Sequence, residues 1–109
     1  MFFNFTENFK VRKPESGMTQ YIVWGKNIML MYAFLEKDVS APLHNHPNEQ
    51  ICTVIRGELS FTLGDETRLM KPNDAVLVPP NMKHGAKAGP NGCVTVEVFC
   101  PPREDYKSV

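Results

Sequence analysis

His44-Asn45-His46-Pro47-Asn48-Glu49-Gln50 gathers two of the chain's three histidines into one short segment, with a carboxylate and an amide close behind. If residues 44–54 run extended, their side chains alternate between two faces. His44, His46, Asn48, Gln50, Cys52 and Val54 then share one side, and Ile51, Thr53 and Ile55 the other. A strand facing solvent would carry Lys, Glu and Thr on the first side. His-x-His followed by Gln and then small or apolar residues describes the lining of a cavity, and the rest of the chain reads as its scaffold.

At 109 residues the chain can bury one core but not two, so residues 1–109 are expected to form a single domain. Twelve Lys+Arg balance twelve Asp+Glu with no basic run, so no nucleic-acid partner and no acidic membrane surface is expected. Cys52, Cys93 and Cys100 are odd in number and lack C-x-x-C spacing, which argues against a disulfide framework and a thiolate zinc site. A reducing cytoplasm is expected. Met1-Phe2-Phe3-Asn4-Phe5 gives way to polar Thr6-Glu7-Asn8, so no signal peptide is expected, and no stretch has transmembrane length.

Outward from the histidines, short apolar runs alternate with turn residues. Residues 1–19, with Phe2, Phe3, Phe5, Phe9 and Val11 before Pro14-Glu15-Ser16-Gly17, read as one or two strands in an arm whose aromatics could pack on a neighbouring subunit. Strands follow at 20–24 and 27–36, the latter apolar enough to have both faces covered. Residues 37–43 read as a polar connection. Further strands are predicted at 49–56, 59–63, 67–71 and 75–78, then around His84, and last at 93–100. Turns fall at Gly57-Glu58, Gly64-Asp65-Glu66, Pro72-Asn73-Asp74, Pro79-Pro80-Asn81 and Gly89-Pro90-Asn91-Gly92. About ten short strands and no amphipathic helix of useful length predict an all-β sandwich or closed barrel, for which a double-sheet jelly roll is economical. Phe61, Met70 and Leu77 are core candidates, as are Trp24, Tyr32 and Met29 to Met31, which could otherwise line the pocket.

His44-x-His46 with a third histidine from another strand suits a borderline divalent metal. Gln50 lies four residues past His46, Gly57 seven past Gln50, and the later segment reads Asn73-Asp74, Pro79-Pro80-Asn81, His84-Gly85. This arrangement closely resembles the two cupin motifs, over about residues 21–106. In that family a His-x-His, a following Glu or Gln and a later His bind one metal inside a jelly-roll barrel, a double-stranded β-helix. The resemblance implies the ligands His44, His46, Gln50 and His84, with Glu49 replacing Gln50 if the strand carries a bulge. Asp38, Asn73 and Asn81 stand where the motifs often have Gly, and Asn tolerates left-handed backbone. Gln50 in place of the common Glu leaves the metal's charge uncompensated by that ligand, which favours Lewis-acid chemistry.

The ending Val96-Glu97-Val98-Phe99-Cys100-Pro101-Pro102-Arg103-Glu104-Asp105-Tyr106 is similar to that of small single-domain cupins, including the pectin-breakdown cupins that open 4,5-unsaturated uronates to linear keto-uronates. That resemblance implies an acid at Glu97, an aromatic wall at Phe99 and a carboxylate-binding Arg103, with Cys52 on the pocket face. The plain readings are an outward Glu97 opposite a Val94/Val96/Val98 core face, an exposed Arg103 bonded to Glu104 or Asp105, and a buried filler at Cys52. The expectation is a homodimeric metal-assisted isomerase or lyase of a small organic or sugar acid, holding one Ni, Fe, Mn, Zn or Co ion. An iron dioxygenase and a non-catalytic metal or small-ligand sensor module are the alternatives.

Overall fold

Residues 18–24 and 29–35, rich in Ile, Val, Met, Tyr and Phe on both alternating faces and parted by Gly25-Lys26, favour two strands. In the computed structural model, which describes residues 1–107, they are β2 (Met18–Trp24) and β3 (Met29–Leu35). Met18, Gln20 and Ile22 are buried with Met29, Met31, Ala33 and Leu35, while Tyr21, Val23, Leu30, Tyr32 and Phe34 lie half-buried on the outer face. β1 (Lys10–Glu15) precedes them. β4 (Ser40–His44), β5 (Glu49–Leu63), β6 (Glu66–Met70), β7 (Ala75–Val78), β8 (His84–Cys100) and the one-turn helix α1 (Glu104–Lys107) follow.

β5 and β8 organise the fold. They pair antiparallel from Glu49 opposite Cys100 to Leu63 opposite His84, with register shifts at Val54/Arg56 and Gly57/Leu59. One half of the pair continues into β3, β2 and β1 on the β8 side and into β7 on the β5 side; the other half carries β4 and β6. The two halves of this one eight-stranded sheet enclose a cluster that includes Ile22, Met29, Val54, Leu59, Phe61, Met70, Val78 and Phe99. The architecture is the expected jelly-roll barrel.

Fewer, longer strands form than the glycines suggest. Gly57 and the 89–92 segment bend β5 and β8 and shift their register without ending them, as β-bulges do. Gly57 has φ of 80°, and a Cβ there would lie 2.1 Å from the Gly92 carbonyl oxygen, so only glycine permits the crossing. Residues 37–43, read as a connection, hold most of β4, which pairs with β8 and breaks register between Ala41 and His44, where Pro42 sits. Leu77 is 53% exposed because Val76 and Val78 take the inward positions of β7.

The aromatic arm returns to its own sheet. Phe5 stacks on Tyr32 with centroids 4.5 Å apart and meets Tyr21 edge-on, while Phe9 packs against Tyr32. These contacts cover Tyr21 and Tyr32 on the outer faces of β2 and β3. No helix among the described residues is long and apolar enough to cross a membrane.

Candidate metal centre

β4 delivers His44, the turn before β5 delivers His46, and the first residue of β8 is His84, paired directly with His44. The three rings converge, with one ligand atom from each within 4.8 Å of the others. Each Nδ1 meets a backbone carbonyl: His44 with Pro42 at 2.8 Å, His46 with Asn48 at 3.0 Å, His84 with Met82 at 2.8 Å. A carbonyl only accepts, so Nδ1 carries the proton of each neutral ring and Nε2 presents its lone pair. The His84 Nε2 is buried with no hydrogen-bond partner. Burial holds the pKa of His84 down at about 4, and burial followed by the charge of Arg103 lowers that of His46.

Gln50 completes the ring of donors. Its Nε2 donates to Glu97 Oε1 at 2.6 Å, which turns its Oε1 toward His46 Nε2 at 3.0 Å. With His46 protonated on Nδ1, two lone pairs face each other without a hydrogen between them. Adjacent ligands about 2.1 Å from one metal and at right angles lie about 3 Å apart, so this spacing fits two donors of one coordination sphere. Three imidazole nitrogens and an amide oxygen, with an orphaned buried nitrogen among them, fit a borderline divalent cation. Glu49 is exposed and points away.

Glu97 is turned inward, and Val94, Val96 and Val98 occupy the outer face. Thr95 Oγ1 donates to Glu97 Oε2 at 2.8 Å. Burial raises the Glu97 pKa, opposed by the hydrogen bonds from Thr95 and Gln50 and by the charge of Arg103. Arg103 lines the same cavity and is only 7% exposed, although its Nη2 donates to Asp105 Oδ2 at 2.8 Å, the partner anticipated for a tail arginine. Cys52 is on the cavity wall, its thiol raised well above the usual range by burial and then by Glu97. Phe99 stands behind the wall, edge-on to His46 at 5.8 Å and to Tyr106 at 5.7 Å.

Gln20, Thr95 and Tyr106 also line the cavity, as do Met31 and Phe61. The first two were within reach of sequence reasoning, because Gln20 alternates with Met18 and Ile22, and Thr95 with Glu97. Tyr106 was not, because it reaches the cavity only through the fold-back of α1 beyond Pro101-Pro102. Trp24 instead lies on the surface beside Lys10 and Lys107, and Tyr32 lies under Phe5.

Comparison with known proteins agrees with this geometry. The chain is 34% identical over 79 residues to the H2HPP isomerase of Bacillus subtilis, a match covering 72% of this chain but 34% of that protein, so it spans about a third of that relative's length. It is 28% identical over 86 residues to the pectin degradation protein KdgF of Dickeya dadantii, covering 78% of each. The solved structure of KdgF from Halomonas sp. superposes with a TM-score of 0.89 at 26% identity over 97% of both chains. An RmlC-like cupin from Shewanella frigidimarina gives 0.88 at 24% identity, over 97% of this chain and 96% of that one. Residues 31–99, which hold the histidine cluster, Gln50 and Glu97, match the cupin domain family (Cupin_2), and the chain belongs to that family.

Proposed function

We propose that this protein is a metal-dependent isomerase of a small oxygenated acid, and that its reaction is the opening of 4,5-unsaturated uronates to linear keto-uronates. The observation that carries this reading is that Glu97 and Arg103 line one cavity with His44, His84 and Gln50. The likeness to an isomerase and to KdgF supports it over the dioxygenase and sensor readings. His44, His46, His84 and Gln50 would hold the metal. A bound divalent ion supplies Lewis acidity toward a substrate oxygen. Ni, Fe, Mn, Zn and Co all suit these donors, so availability selects among them.

The reaction moves atoms within one molecule. The anomeric hydroxyl loses its proton, the bond from C1 to the ring oxygen breaks as the C1 carbonyl forms, and the electron pair stays on the former ring oxygen as the C5 enolate. A proton added at C4 then gives the C5 ketone. One proton leaves and one arrives, so a single carboxylate can serve as base and then acid. Glu97 takes that role, its raised pKa bringing proton exchange nearer neutrality. Arg103 binds the substrate carboxylate with guanidinium donors that Asp105 leaves available. Cys52 gives the wall a small neutral surface, and Phe99 braces His46, Arg103 and Tyr106 from behind. The free thiols of Cys52, Cys93 and Cys100 suit a reducing cytoplasm, and a second copy of the chain covers the apolar outer face of β5, β7 and β8.

The test is loss of the ring enol-ether absorbance of 4,5-unsaturated galacturonate, followed with metal-loaded wild type, His84→Ala and Glu97→Gln. Fast loss in wild type alone is expected. No loss in wild-type protein shown to carry metal overturns the uronate reading.

A further inference from the structure

We infer that Glu97 is a positioning residue for the metal site, fixing which end of the Gln50 side chain faces the three histidines. The inference rests on the metal reading of that cluster and adds to the proton-transfer role given to Glu97 above.

An amide has a donor end and an acceptor end of nearly the same shape, so only its partners decide its orientation. Here the decision falls to Glu97. Its Oε1 accepts from Gln50 Nε2 at 2.6 Å, and its Oε2 accepts from Thr95 Oγ1 at 2.8 Å. A carboxylate accepting at both oxygens leaves Gln50 one compatible orientation, with its carbonyl oxygen 3.0 Å from His46 Nε2. Reversing the amide would set Oε1 against Glu97 Oε1 and a donor among the imidazole lone pairs. Gln50 and Thr95 are both buried, so water does not offer them substitute partners.

The pairing also explains the amide at position 50. A Glu there could bind a metal but could not donate to Glu97, and two carboxylates would meet at hydrogen-bond distance. Gln50 does both tasks at once. The negative charge that a ligand at position 50 would bring sits one hydrogen bond further out, on Glu97.

The test measures affinity for Zn and Co(II) by calorimetry, with the Co(II) visible spectrum reporting the ligand set, on wild type, Glu97→Leu, Glu97→Gln and the exchanged pair Gln50→Glu/Glu97→Gln. Loss of an orienting partner of a metal ligand costs about 10- to 100-fold in affinity, and that loss with an altered spectrum is expected for Glu97→Leu. Glu97→Gln keeps an acceptor for Gln50, and the Thr95 hydroxyl can turn to accept from the new amide. It is expected to bind more tightly than Glu97→Leu and to keep the wild-type spectrum while losing uronate turnover. The exchanged pair restores the hydrogen bond in the opposite sense and is expected to recover metal affinity without turnover. It supplies the answer if Glu97→Leu does not fold.

Wild-type affinity and spectrum in Glu97→Leu would overturn the inference. So would equal losses in Glu97→Leu and Glu97→Gln, or no recovery in the exchanged pair. The expected affinities with no turnover of the uronate by wild type would leave the inference standing and overturn the isomerase reading alone.

Discussion

Arg103 lies over Tyr106, its guanidinium carbon 3.8 Å from the ring centroid, and Arg12 approaches the same ring at 4.3 Å. Tyr106 therefore holds Arg103 in place at the cavity, with the Asp105 ion pair fixing the guanidinium edge. A cation on an aromatic face is worth about 0.5–2 kcal/mol, a factor of roughly 2 to 30 in binding. Tyr106→Ala is expected to raise KM for the uronate by that factor with a smaller change in kcat, and Tyr106→Phe to stay near wild type. Steady-state kinetics decide it: a fall in kcat at constant KM would remove Tyr106 from carboxylate binding.

Of the glycines, Gly57 sits at the closest backbone approach. With φ of 80° and the Gly92 oxygen 2.1 Å from any added Cβ, Gly57→Ala combines left-handed strain with a backbone clash. A loss of at least about 2 kcal/mol is expected, lowering Tm by roughly 10 °C or more. Gly25→Ala is the control, since nothing lies within 4 Å of its added Cβ. Equal melting temperatures for the two variants would refute the argument.

The sequence made much of this site legible because period-two alternation survives the bends. Burial at His46, Asn48, Gln50, Cys52 and Val54 follows the pattern read from residues 44–54. Asp38, Asn73 and Asn81, which stand where the motifs often have Gly, have φ of 62°, 78° and 66°. Alternation alone did not make the orientation of the last strand legible, since Val94/Val96/Val98 and Thr95/Glu97/Phe99 are equally good strand faces and apolar content favours the wrong one for the interior; only the resemblance to small cupins turned Glu97, and Thr95 with it, toward the site. A polar cavity inverts the usual rule: Thr95 and Glu97 face inward because Gln50 and Arg103 wait there. Nor was strand length legible, because Gly57 and Gly92 look like turns in sequence and serve as bends.

The pKa of His84, held at about 4 against an ordinary value of 6.5, has a definite sign for the metal-free protein. Between these values the unfolded chain binds more protons, so this group's contribution to stability is fully present above about pH 6.5 and is lost as pH falls toward 4. His46 acts in the same direction, and Glu97, raised by burial, acts oppositely above its ordinary carboxyl range. In chelator-treated protein the ring-proton NMR signal of His84 is expected to titrate near pH 4. A midpoint near 6.5 would mean that the ring is not desolvated as described.

Val23, Leu30, Val98, Ile51 and Leu77 form one row across the outer faces of β2, β3, β8, β5 and β7, each opposite the next in register. Ile51 is 48% exposed and Leu77 53%, and the aromatic arm covers the neighbouring Tyr21 and Tyr32 instead. A continuous apolar row on an otherwise finished barrel is a surface that association would bury. A two-fold dimer lets one row meet its own copy. Light scattering on the wild type is expected to give twice the chain mass, and Ile51→Lys to give the monomer mass. Because Ile51 points away from the cavity, Ile51→Lys should still bind metal as wild type does. A wild type that stays monomeric at tens of micromolar would discard the dimer, and a dimeric Ile51→Lys would move the interface to another face of the barrel.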